Sequence, residues 1–295
     1  MSSPGLSREE HVEQAYFFRV LRERLKDHVP VQEVLLSIRE EVLATTRLPM
    51  AIDFLSGEIQ HHGRLGRGMD HLKHYFTPFQ SFIMSRAEED SARLDFSIAL
   101  QILEKEADFL SRLPVEPAAL FIYHFECLAR NRLGYDAGIK AIAADPNYSS
   151  DWRAWITRIR MELGTREFAD LIYSQSQQYV EDRRRELRGQ DPQITAKILF
   201  DAQAGRIARA NLGKDPLYMF AALQRQLGYP AVPRQAAAAS GPIIPPQVEM
   251  RFQRIEARLG LVEQEQRGGI DLSNFFQGPG SSAGTDGEDI GQAPA

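Results

Sequence analysis

Proline sits directly behind a side chain able to cap a helix at three points in this chain, Thr77-Pro78, Asp191-Pro192 and Asp215-Pro216. At the first helical position its missing N–H costs nothing, because that amide has no partner inside the helix. Pro49 and Pro117 fit the same role with poorer capping residues, and Ser7-Arg-Glu-Glu10 has the spacing of a capping box. Ser91 and Thr165 are placed to cap two further helices, while Gly134, Gly213 and Gly228 each follow a leucine where a left-handed residue ends a helix. Period-2 alternation is scarce by comparison. Even Lys197 to Ala210, where Ile198, Phe200, Ala202 and Ala204 alternate, reads better as helix than as a strand pair.

The prediction is therefore an all-α fold of about ten or eleven helices between Ser7 and Tyr229. Short loops make helical hairpins the natural unit, forming either a bundle or a short solenoid-like array. Residues 1–6 are expected to be disordered. The texture changes near Arg234, where Gln235-Ala-Ala-Ala-Ala-Ser-Gly-Pro begins. We read 230–245 as a flexible linker, 246–267 as one short amphipathic helix, and 268–295 as a disordered tail with a docking segment at 270–276.

With 43% hydrophobic and 25% charged residues the chain has a globular composition, sufficient for the body to bury its own core. The net charge of -5 argues against a nucleic-acid surface, which needs uncompensated Lys and Arg. The longest basic run, Arg183-Arg184-Arg185, is interleaved with Glu181, Asp182 and Glu186 and reads as a solvated helix face. Cys127 is the one cysteine, so no intramolecular disulfide is available and a reducing compartment is expected. No run approaches the roughly 20 apolar residues that span a bilayer, and the first residues lack an apolar leader. These features predict a cytoplasmic protein that engages neither membrane nor nucleic acid.

Ala141, Asp145-Pro146, Trp152 and Trp155 resemble the junction between tetratricopeptide repeats, in which a small residue precedes the proline by five and an aromatic follows it by six. Gly138 departs from that pattern, standing where the family has a large apolar residue. The resemblance implies a peptide-binding scaffold.

Four of the seven histidines, His61, His62, His71 and His74, fall within fourteen residues. Glu58 precedes His61 by three, a spacing that puts both on one helix face, as carboxylate-bridged metal bundles require. Glu58, His61 and His74 are the candidate metal ligands. Glu104 and Glu106 could donate as well, although the pattern forces neither inward. His124 and Cys127, one turn apart, have the composition of a thiolate–imidazole pair, but their apolar surroundings favour a core cysteine. Gly63-Arg-Leu-Gly66-Arg-Gly68 invites a phosphate-loop reading, yet lacks the Lys-Ser/Thr ending and is read as a flexible linker.

The C-terminal stretch carries the leading functional expectation. Val248, Phe252, Ile255, Leu259 and Val262 recur at 4, 3, 4, 3, an a/d seam of about three heptads. So short a helix needs another surface to cover its stripe. Ile270, Leu272, Phe275 and Phe276 form an apolar cluster that reads as a docking peptide. The chain is thus expected to be a non-enzymatic scaffold or adaptor, with no cofactor, meeting a protein partner or a second copy through this region. The alternatives are a metal-dependent enzyme centred on residues 58–74 and a small-molecule-binding bundle lined by aromatics such as Phe17, Phe18, Phe79, Phe82, Phe121 and Phe125.

Overall fold

A computed structural model describes residues 5–89, 94–112, 114–187 and 197–234. Among them are thirteen α-helices and no strand, with two isolated β-bridges. The expected all-α class is what the chain adopts. In order, the helices are α1 (Arg8–Lys26), α2 (Val31–Glu41), α3 (Leu48–His62), α4 (Leu65–His71), α5 (Pro78–Ala87), α6 (Phe96–Leu110) and α7 (Pro117–Asn131). Then come α8 (Tyr135–Ala143), α9 (Ser150–Glu162), α10 (Phe168–Tyr173), α11 (Gln177–Glu186), α12 (Ala202–Ala210) and α13 (Pro216–Leu227). None of them is long and apolar enough to cross a membrane.

The proline starts hold for α5 and α13, where Thr77 Oγ1 accepts from Gln80 N and Asp215 Oδ1 from Leu217 N. Thr77 completes a reciprocal box, since Gln80 Oε1 also accepts from Thr77 N at 3.1 Å. At the first helix only half of the expected box forms. Ser7 accepts from Glu10 N, but the Glu10 carboxylate instead reaches Arg47 N at 2.9 Å, tying the start of α1 to the start of α3. Other boundaries differ from the expected ones. Asp95 caps α6, Glu167 rather than Thr165 precedes α10, and the helix expected through Tyr179 breaks into α10 and α11. Gly134 begins α8 at φ 85° instead of ending α7, whose left-handed cap is Arg132. The 197–210 stretch divides, with Phe200 bridged to Ser176 and helix only from Ala202. Ser91 and Asp191-Pro192 lie outside the described residues.

Packing is not confined to sequence neighbours. The helix α1 lies along α6, α5 meets α8, α13 returns to α7 and α10, and α12 packs on α10 and α11. These returns close the body. At its centre is α7, with twelve of fifteen residues buried, from Ala118 through Leu128 plus Asn131. A helix apolar on one stripe covers a core; one buried all round lies inside it. Two of the aromatics that could have lined a small-molecule pocket fill this core instead, with Phe125 stacked on Phe168 at 3.8 Å and Phe121 edge-on to Trp155 at 4.9 Å. Tyr229 to Pro233 lie along this body as a strap. Tyr229 is 3% exposed, Asn131 Nδ2 donates to Pro233 O at 3.1 Å, and Lys105 Nζ to Ala231 O at 2.9 Å. The anchored chain therefore runs past the expected boundary at Tyr229, as far as Pro233.

The glycines of 63–68 do not make a linker. Gly63 is the left-handed cap of α3, but Gly66 and Gly68 are buried within α4 because its neighbours come too close for a side chain. A Cβ on Gly66 would meet the Ser85 backbone N at 2.7 Å, and one on Gly68 would meet Leu55 Cδ2 at 2.8 Å. Gly57, on α3, faces open space. Gly66→Ala is therefore expected to lower stability by about 1–3 kcal/mol through forced displacement of α5. Gly57→Ala is expected to raise it by about 0.5–1 kcal/mol through helix propensity. Urea unfolding of the two variants checks the contrast; equal effects would contradict the packing explanation.

Candidate functional site: a buried carboxylate–histidine–tyrosine cluster

Helix α6 turns Leu103, Glu106, Ala107 and Leu110 toward the core at spacings of three and four, so Glu106 is carried inward by its apolar neighbours. It meets His124 of α7, whose Nε2 lies 2.6 Å from Glu106 Oε1. Tyr148, in the turn between α8 and α9, puts its hydroxyl 2.9 Å from His124 Nδ1. An ionised carboxylate has no proton to donate, so with Glu106 ionised the ring N–H is at Nε2 and Nδ1 accepts from the Tyr148 hydroxyl. Phe79 of α5 stacks on the imidazole at 3.9 Å and 25°, holding its plane.

Asp145 completes the cluster from the same turn as Tyr148. Its Oδ1 accepts from Asn147 N at 2.9 Å, and its own amide bonds Ile142 O. Glu106, His124 and Asp145 are all 0% exposed. Donor atoms from the three lie within 4.8 Å of one another, and no other group of three His, Cys, Asp or Glu does so among the described residues. Among the described residues, one oxygen of each carboxylate, Glu106 Oε2 and Asp145 Oδ2, has no hydrogen-bond partner. Burial pushes the Asp145 carboxyl up to about 6, with the Glu106 charge adding to the rise and His124 opposing it. Burial likewise drives the Tyr148 hydroxyl well above its usual range.

Beside the cluster is a cleft of about 500 Å³. The residues flanking Asp145, Ala144 and Pro146, line it together with His11, His74, Tyr75 and Arg153. Burial lowers the His11 ring, against the pull of Glu106 and Glu10 and its bond to Gln14.

The residues singled out in the sequence are distributed differently. Glu58 faces His71, at 3.7 Å, and His61 is exposed beside His62. His74 lines the cleft, and none of Glu58, His61 and His74 belongs to the convergent group. Cys127 is fully buried, its thiol pushed far up by desolvation, and His124 is bonded to Glu106 and Tyr148 rather than to sulfur. The amides that a phosphate would need at the glycine segment are taken. Leu65 N and Gly66 N donate to the Glu88 carboxylate at 2.5 and 2.8 Å, so an internal anion occupies the turn. In the basic run, Arg183 pairs with Glu186, and Asp182 is shared by Arg185 and Arg209. Val248, Phe252, Ile255, Leu259, Val262, Ile270, Leu272, Phe275 and Phe276 lie outside the described residues.

Tyr148→Phe strips His124 Nδ1 of its partner in a dry interior and is expected to cost about 1–3 kcal/mol. At about 2–4 °C per kcal/mol for a body of this size, calorimetry resolves the loss. Tyr135→Phe, at a side chain 47% exposed, should stay within about 0.5 kcal/mol. Comparison with protein-family models, with curated proteins and with solved structures finds no match to this chain.

Proposed function

We propose that the chain is a non-enzymatic helical adaptor, whose closed body presents a C-terminal segment to a protein partner or to a second copy of itself. The way the chain leaves the body carries this reading. Tyr229, Ala231 and Pro233 are pinned to Phe220, Glu126, Lys105 and Asn131, so the described chain is anchored to the body up to its last residues. Beyond it come the apolar seam of Val248, Phe252, Ile255, Leu259 and Val262 and the cluster ending in Phe275 and Phe276. Such stripes demand a covering surface.

The body's own chemistry supports a structural role for the motifs that looked reactive in sequence. Cys127 is sequestered, the amides of the glycine segment hold Glu88, and Arg183 and Arg185 pair with acids. Exposed large apolar side chains include Leu36, Leu43 and Met50 on the α2–α3 hairpin and its loop, at 57%, 51% and 69%, and Met161 and Tyr218 elsewhere.

Truncation before Ser240 is expected to leave the body folded, with its melting temperature moved by less than about 2–4 °C, the equivalent of 1 kcal/mol. Light scattering of the full chain should give a mass above that of one copy, or a partner should co-purify with it, and the truncated body should lose that association. A double change of Phe252 and Ile255 to Asp should reproduce the loss without truncation. Identical mass and identical co-purifying proteins in all three would defeat the adaptor reading.

A further inference from the structure

We propose that Glu106, His124 and Asp145 form a binding site for one divalent transition-metal ion of the zinc, iron(II) or manganese(II) class. The donors come from three separate elements, α6, α7 and the α8–α9 turn, and converge within 4.8 Å with no solvent exposure. In a dry interior two carboxylates require positive compensation. Glu106 meets the His124 ring and Asp145 is met by Asn147, yet among the described residues one oxygen of each carboxylate has no hydrogen-bond partner. A divalent cation matches two carboxylates in charge and takes up those oxygens.

The donor set chooses the ion. One imidazole with two carboxylates suits zinc, iron(II) and manganese(II), whereas magnesium and calcium take oxygen donors and water. Around an ion with bonds near 2.0–2.2 Å, neighbouring donors stand about 3–4 Å apart, so the present spread closes by side-chain adjustment of about an ångström. His124 would bind through Nε2, turned from Glu106 to the ion. Its Nδ1–H then donates to Tyr148 Oη, already 2.9 Å away, the outer partner that metal-bound histidines have. Phe79 stacks on the ring and keeps its plane as it turns. Ala144 and Pro146, on either side of Asp145, line the 500 Å³ cleft and give the ion its route and its side for a further ligand.

This inference is independent of the adaptor reading, and the test uses the full chain. After chelation and dialysis, the protein is equilibrated with ZnCl2 or MnCl2 at micromolar concentration and its metal counted by elemental analysis. One ion per chain is expected. Glu106→Gln and Asp145→Asn, nearly unchanged in shape, should each weaken retention at least tenfold, while Glu58→Gln and His61→Ala should retain it fully. Absence of binding to the wild-type chain overturns the site, as does binding that survives both substitutions at the cluster or disappears with His61. Should the cluster variants fail to fold by circular dichroism, the cobalt(II) form of the wild-type chain decides. Nitrogen and oxygen ligation gives weak visible bands alone; a thiolate charge-transfer band would put the ion on Cys127 and reject the assignment.

Discussion

Everything in this fold answers to the burial of α7. A helix enclosed on all sides can use apolar residues freely, but α7 also brings Tyr123, His124, Glu126 and Asn131 into the core, and each must find a partner there or cost about 1–3 kcal/mol. Their partners are specific. Tyr123 Oη donates to Ile102 O at 2.8 Å, His124 joins Glu106 and Tyr148, Glu126 accepts from Arg130 and from Tyr229 Oη, and Asn131 holds Pro233. Two of these hydrogen bonds reach residues four apart on α6, Ile102 and Glu106, so the polar set ties α7 to α6 at one register.

The legible part of the sequence was the part written locally. Caps and proline starts act within four residues of the helix they begin, which is why Thr77, Asp215 and Gly228 perform as their chemistry suggests. Gly66 and Gly68 defy their local reading for the opposite reason. In isolation they are helix breakers; against Ser85 and Leu55 they are the residues that let α4 be a helix at all. Gly138 belongs with them, since a Cβ there would come to 2.5 Å from Leu128 Cδ2.

The site was concealed by the same distinction. Glu58 and His61 stand out because their spacing matches a helical turn, yet such a spacing only permits two side chains to meet. Glu106, His124 and Asp145 are separated by 18 and 21 residues, with no fixed spacing to betray them. One signal was present. Glu106 falls three after Leu103 and four before Leu110, on the apolar stripe of α6, and an acid at such a position must be satisfied from elsewhere in the core.

Glu126 and Glu106 show how differently one core can treat two buried acids. Glu126 is held by a guanidinium and a phenol, the second delivered by the C-terminal strap, so its charge is compensated within the chain. Among the described residues, Glu106 has an imidazole as its hydrogen-bond partner and Asp145, a second acid, for a neighbour. If stability alone had shaped this interior, an apolar pair of similar volume would serve at least as well. An arrangement that gathers two acids around one histidine, supports the ring from both faces of its chemistry, and opens beside a cleft is better explained by something positive that enters it.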